Sequence, residues 1–223
     1  MAESTDVRPT RSERKAELRA RIISESLALF LEQGYDQTTM RQIIHKTGIL
    51  NGSLYNVFKS KDEIYSAVLM EALAQSTEQE KVILGDDADL MSKVTFPFIL
   101  EIYSSNRSKK IASLLSVGFE RATVRRSIID FSVKNLMQVP DVSGMFTEDE
   151  VRFRVEMGMG ALGSVISMYA NGSTNIPLQE AIDLVSGLMV SMFCDKVEGL
   201  SERNARILEL IENSEVVICG IKI

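Results

Sequence analysis

Asn51, Ser53, Tyr55 and Asn56 are four polar side chains within six residues, interleaved with the apolar positions Ile49, Leu54 and Phe58. If those three point inward on a short helix, the four polar groups share the outward side. An Asn amide can donate to and accept from an adenine edge at once, and a Ser hydroxyl reaches a base or a phosphate oxygen. Gly52, in the middle of the set, has no side chain and lets the backbone come close to a groove. Thr39 and Arg41 stand at the start of the preceding segment, where they can hold a phosphate backbone. This chemistry is the reading of a duplex edge.

Other chemistries lack their parts. His45 is the sole histidine, and Cys194 and Cys219 lie 25 positions apart, so neither a histidine-rich metal site nor a Ser-His-Asp triad can be assembled. There is no GxGxxG and no phosphate-binding Walker loop. Glu148, Asp149 and Glu150 fall at a helix start, where they complement the dipole. We expect no catalytic site, no metal and no cofactor. The cysteines suit a reduced, cytoplasmic setting as packing residues. No apolar run approaches the ~18 residues that a membrane helix needs, and the polar first fifteen residues contain no secretory signal.

The elements that must position these side chains are legible from their punctuation. Thr39 and Gln42 have capping-box spacing, and Gly48 suits a corner that needs positive φ. A second short helix follows from Leu50 to Val57. Ser60 and Glu63 form another capping box and open a longer helix to about Leu84. Two helices joined by a three- or four-residue turn place the second in a major groove. A brace helix over 13–33 carries Leu18, Ile22, Ile23, Leu27, Phe30 and Leu31 at helical spacing and ends at Gly34. Residues 1–61 hold ten Lys/Arg against seven Asp/Glu, whereas the remainder holds fifteen against twenty-four. A mildly basic head on an acidic body fits DNA binding at one end only.

Phe30, Gly34-Tyr35, Thr38-Thr39, Ile43, Gly48-Ile49, Gly52-Ser53-Leu54-Tyr55, Phe58, Ser60-Lys61 and Ile64 together resemble the TetR family of one-component transcriptional regulators. The resemblance covers roughly residues 15 to 65. It implies that Tyr55 and Lys61 contact phosphate, that the helix from Lys61 connects head to body, and that the last two long helices pack against a second copy as a four-helix bundle. Leu50 departs from the family where a polar cap is usual, Val57 where His is frequent, and Ile44 where Ala is frequent.

Beyond the head the pattern is helical throughout. Helices are expected over 90–104, bent at Pro97, then 109–117, 119–137, 148–170, 177–198 and 201–213, with Ser201 capping the last. Pro140–Gly144 reads as a loop. The domains are expected as a disordered tail over 1–12, a DNA-binding domain over 13–60, an effector and dimerisation domain over 61–213, and an apolar, β-prone tail over 214–223. Gly160, Ser164 and Ser167 form a small-residue stripe that, with Leu184, Leu188, Met189 and Met192, fits a dimer seam; the wall of a cavity is the alternative. An effector pocket is implied by the resemblance, and Phe96, Phe98, Tyr103, Phe119, Phe131, Met137, Met157 and Tyr169 are candidates to line it, or else ordinary core. Arg121, Arg125 and Arg126 could face an anion or simply water. The reading is an all-α homodimer that represses transcription at a palindromic double-stranded DNA operator and is released by a small, largely apolar effector. Control by a protein partner, or activation in place of repression, is the alternative.

Overall fold

The computed structural model describes residues 10–85, 88–194, 198–218 and 221–222. Most of the expected N-terminal tail, Asp86, Asp87, residues 195–197 and Cys219 therefore lie outside the described residues. The chain divides into two compact units, one ending at Val68 and the other beginning at Leu69. Among the described residues it is all-α, with eleven helices and one very short terminal hairpin.

The first unit contains α1 (Arg11–Gln33), α2 (Met40–Thr47), α3 (Asn51–Val57) and the opening turns of α4 (Lys61–Leu84). Helix α1 starts two residues before the expected point. Thr10 accepts from the Glu13 N–H, and the Glu13 carboxylate accepts from the Thr10 N–H at 2.6 Å, a complete capping box that draws Arg11 and Ser12 into the helix. Gly34 ends α1 at φ +84°, and Gly48 ends α2 in the left-handed region at φ +66°. The core is Ile22, Ile23, Leu29 and Phe30 of α1 with Ile43, Leu54 and Phe58.

The second unit continues α4 and adds α5 (Leu90–Arg107), α6 (Lys109–Glu120), α7 (Ala122–Leu136), α8 (Pro140–Met145), α9 (Glu148–Asn171), α10 (Leu178–Phe193) and α11 (Leu200–Glu212). Helix α5 is central. It packs against α6, α9, α10 and α11 and buries Val94, Phe96, Phe98, Ile99, Leu100 and Ile102, so apolar residues surround it on all sides. Pro97 sits inside it and removes one backbone donor without ending it. Asp183 of α10 accepts from Gln179, Ser201 and the buried Asn204, which fastens α11 to α10.

Several boundaries differ from expectation for identifiable reasons. Gly118 is helix interior, not a break: a Cβ there would stand 2.5 Å from Leu69 Cδ1, so it permits close packing on α4, and the break falls at Arg121. Pro140–Gly144 is not a loop but most of α8, with Pro140 preset for a first helical turn. Helix α10 begins after Pro177 and ends at Phe193, short of the expected end near Glu198. Ser201 does not cap α11, since its hydroxyl donates to Asp183 and Gly199 holds the N-cap at φ +69°. The apolar tail docks as β1 (Val217–Ile218) paired antiparallel with β2 (Ile221–Lys222). Gln79 of α4 presents its amide like a strand edge, donating to Val217 O at 2.8 Å and accepting from Val217 N at 2.9 Å, while Val216 and Ile218 are buried.

The glycines of α9 separate by surroundings. A Cβ on Gly158 would meet Met189 Sδ at 1.8 Å, and one on Gly163 would meet Phe119 at 3.0 Å, whereas Gly160 faces open space. Met189, expected on the dimer seam, is therefore corrected to subunit core: it is 1% exposed and lies against Gly158. Gly158→Val should destabilise the protein by about 1–3 kcal/mol through overpacking, read as a lowered urea midpoint at unchanged m-value. An unshifted midpoint would mean that Met189 can swing clear.

Candidate functional site

In the first unit, α2 is held at its start by a full capping box. Thr39 N–H donates to Gln42 Oε1 at 2.7 Å and Gln42 N–H to the Thr39 hydroxyl at 3.2 Å. The hydroxyl of Thr39 is thus already engaged, while Arg41, the second residue of the helix, is exposed. In α3, Leu54 is fully buried, and Asn51, Gly52, Tyr55 and Asn56 are exposed with Ser53 half-buried. The sequence-predicted set therefore comes together as one polar surface around α3. Leu50 occupies the N-cap without a side-chain bond and is 80% exposed, which leaves the first N–H groups of α3 uncapped by protein.

Lys61 has a different geometry from the one its position suggested. Its ammonium donates to Tyr35 O and Thr38 O, both at 2.7 Å, and lies 3.9 Å from the centre of the Tyr35 ring. Those bonds fix the α1–α2 connection to the first turn of α4. Tyr35 also stacks near Phe30, meets Tyr65 edge-on with centroids 4.8 Å apart, and donates its hydroxyl to Asp62. Ser60 caps α4 by accepting from Glu63 N–H, but the Glu63 carboxylate reaches back one residue further than a standard box, accepting from Lys59 N–H at 2.6 Å.

The second unit holds a cavity of about 530 Å³. Its walls come from Leu73–Lys81 of α4, from α5 and α7, from two positions on α9 and from one on α10. Val94, Pro97, Phe98, Phe131, Val155 and Met159 are among its apolar walls. Of the aromatic and methionine residues expected there, Phe98 and Phe131 line it. Phe96 and Tyr103 are buried elsewhere in the core, Phe119 packs on Gly163, and Met137, Met157 and Tyr169 are not among its walls. Sequence reasoning missed the charged lining residues Glu80, Lys93 and Glu101. A signal existed: Glu101 interrupts the otherwise apolar run Phe96–Tyr103. Burial alone raises the Glu101 carboxyl to about 8, and burial raises Glu80 to about 7 against the opposing pull of Lys93 and Lys81.

On the outer side of α9 and α10, Gly160, Ser164, Leu184 and Leu188 are exposed, joined by Phe153, Met157 and Met168. Met192 and Ser167 are half-buried beside them. Arg125 and Arg126 border a separate cleft with Asp130 and Glu156, where Arg152 pairs with Asp130 and Glu148; Arg121 does not reach it. No helix among the described residues is long and apolar enough to cross a membrane.

A helix-turn-helix with an outward polar surface is the geometry of a DNA-binding unit, here followed by a second helical unit. Residues 22–68 match the model of the bacterial regulatory proteins, tetR family. That match lies within the first unit, which is thus similar to the helix-turn-helix unit of those regulators. It is 31% identical over 91 residues to the HTH-type transcriptional repressor KstR2 of Mycolicibacterium smegmatis, a match covering 41% of this chain and 44% of the relative, so it spans less than half of that relative's length. Solved structures share the fold. RolR in complex with resorcinol aligns over 93% of this chain and all of its own at 17% identity and TM-score 0.59. FadR from Bacillus subtilis in complex with stearoyl-CoA aligns over 79% of this chain and 98% of its own at 14% identity and TM-score 0.51.

Two measurements follow from this geometry. Leu50→Ser supplies the missing cap and should stabilise the first unit by about 1 kcal/mol, seen as slowed amide exchange in α3; unchanged exchange would mean that α3 is held by packing alone. Glu101 has a folded value above the ordinary 4.5, so its contribution is complete below that pH and is lost as pH rises through about 8. The thermal midpoint should therefore fall more steeply from pH 5 to pH 8 in the wild type than in Glu101→Gln. Parallel profiles would show a hydrated carboxyl.

Proposed function

We propose that the protein is a ligand-responsive repressor that binds a palindromic operator as a homodimer and is released by a small, largely apolar effector. The observation that carries the effector half is the cavity of about 530 Å³, a size that suits a small organic molecule, with mainly apolar walls and a few polar groups. Related folds holding resorcinol and stearoyl-CoA agree with that use. A ligand in the cavity touches α4 directly, at Leu73–Lys81, and the same helix begins in the DNA-binding unit at Lys61. Release requires that the ligand favour the form of the dimer that does not fit DNA, by a difference in affinity that sets the extent of induction.

The dimer half rests on the outer side of α9 and α10. Leu184 is 63% exposed and Met157 46%, with Phe153, Met168 and Leu188 also uncovered, more apolar surface on two neighbouring helices than isolated exposed residues account for. Gly160, open at its Cβ position, allows a second helix to approach. Two such subunits related by a two-fold axis would present two α3 helices to an inverted repeat. In this reading Asn51, Ser53 and Asn56 address base edges, and Thr39, Arg41, Gly52, Tyr55 and Lys61 serve the backbone, Lys61 also by fixing the connection that carries Thr39.

Selection of random duplexes by the purified protein tests this directly. The expected product is an inverted repeat with half-sites about one helical turn apart. Asn51→Ala should relax preference at one position per half-site by about 1–3 kcal/mol, while Arg41→Ala should weaken binding to every sequence and reduce the salt slope by about one. Leu184→Glu combined with Leu188→Glu should halve the sedimenting mass. Selection of an asymmetric site, or a wild type that sediments as a monomer on DNA, would overturn the homodimer reading.

A further inference from the structure

Within the cavity, Glu101 is the residue that the reading so far leaves unexplained. It sits in the middle of α5 and is 7% exposed, flanked in sequence by buried Leu100 and Ile102. Among the described residues no hydrogen bond or ion pair satisfies its carboxyl. An unpaired carboxyl in an apolar wall is destabilising, and such groups are found where they face a ligand. Glu80 of α4 is a second, largely desolvated carboxyl in the same walls.

The cations available do not balance the two acids. Lys81 pairs with Glu78 at 2.9 Å, leaving Lys93 as the cavity's other lysine, and no Arg or His lines the walls. Lys93 precedes Glu101 by eight residues on α5, about 12 Å along the helix axis, too far for contact. Helices α7, α9 and α10 contribute no titratable group. When ionised, the lining therefore carries one carboxylate more than it has ammonium groups, and an anionic guest would meet net repulsion. Phe98 and Phe131 line the same walls, and aromatic rings attract cations.

Resting on the effector reading above, we propose that the cavity recognises an apolar molecule carrying a protonated nitrogen, with Glu101 as its counter-ion and Glu80 as a second acidic contact. A neutral ligand could use the Glu101 carboxyl as a hydrogen-bond donor but would gain nothing from two acids. A cation gains from both, and on binding it converts Glu101 to the carboxylate, which releases a proton. Its affinity therefore rises with pH until Glu101 is ionised in the free protein.

Three probes with one apolar body and different heads test this by calorimetry on the full chain: 6-phenylhexylamine, 6-phenylhexanol and 6-phenylhexanoate. The amine should bind about tenfold or more tightly than the alcohol, with the acid weakest, and its affinity should climb by about tenfold between pH 6 and pH 8, where the amine stays protonated. Glu101→Gln should remove most of the amine's advantage over the alcohol and most of the pH dependence, the remainder belonging to Glu80; Glu80→Gln should cost the amine a smaller factor. An alcohol or acid that binds as tightly as the amine would overturn the cation assignment and leave the effector cavity standing. If none of the three binds, both readings fall. Should Glu101→Gln fail to fold, the ranking of the three heads on the wild type still decides the matter.

Discussion

The contact between Lys61 and the Tyr35–Thr38 connection is the constraint on which the DNA-binding unit depends. One ammonium satisfies two backbone carbonyls and covers the Tyr35 ring, and Tyr35 closes an aromatic cluster with Phe30 and Tyr65. Cation–π and charge-assisted bonds gain strength in such a partly desolvated place. The cluster ties the end of α1, the start of α2 and the first turn of α4 into one rigid corner. Helix α3, only seven residues long and without a side-chain cap, has little intrinsic stability and is held by the buried Leu54 and Phe58 and by its packing on α1.

In the second unit the organising element is α5, buried along most of its length and packed against four helices. Its position makes the exception at Glu101 consequential. A carboxyl on an outer helix could turn toward water, whereas one in the middle of α5 can face only the core or the cavity. Two glycines of α9, Gly158 and Gly163, serve the same compactness: a Cβ at the first would overlap Met189, and one at the second would press on Phe119 at 3.0 Å. Gly160, between them in sequence and open to solvent, has no such role within the subunit.

Much of the DNA-binding unit was readable because its signals are local. Caps at Thr39 and Ser60, the positive-φ corner at Gly48 and the inward set Ile43, Leu54 and Phe58 each depend on neighbours within one or two turns. The body was readable as helices but not as a site. Whether Gly118 breaks a helix or packs against Leu69 depends on a residue about fifty positions away, and whether Ser201 caps α11 or bonds Asp183 depends on which partner lies closer in space. The cavity walls were mostly misassigned for the same reason. Size and aromaticity singled out Phe96 and Tyr103, which tertiary packing placed elsewhere, while the charged residues that lend the cavity its chemistry drew no notice along the chain.

The amino-acid sequence by itself determined the helical class, the helix-turn-helix, its capping and its outward polar set, because helix periodicity and terminal chemistry act over three to four residues. The tertiary structure alone decided that Lys61 bonds the α1–α2 connection, that Met189 belongs to the core, that the apolar tail pairs with itself and docks on Gln79, and that Glu101 and Glu80 share one cavity. Each of those outcomes is a meeting of groups far apart in the chain. Only the packed geometry establishes which of many chemically suitable partners is within reach.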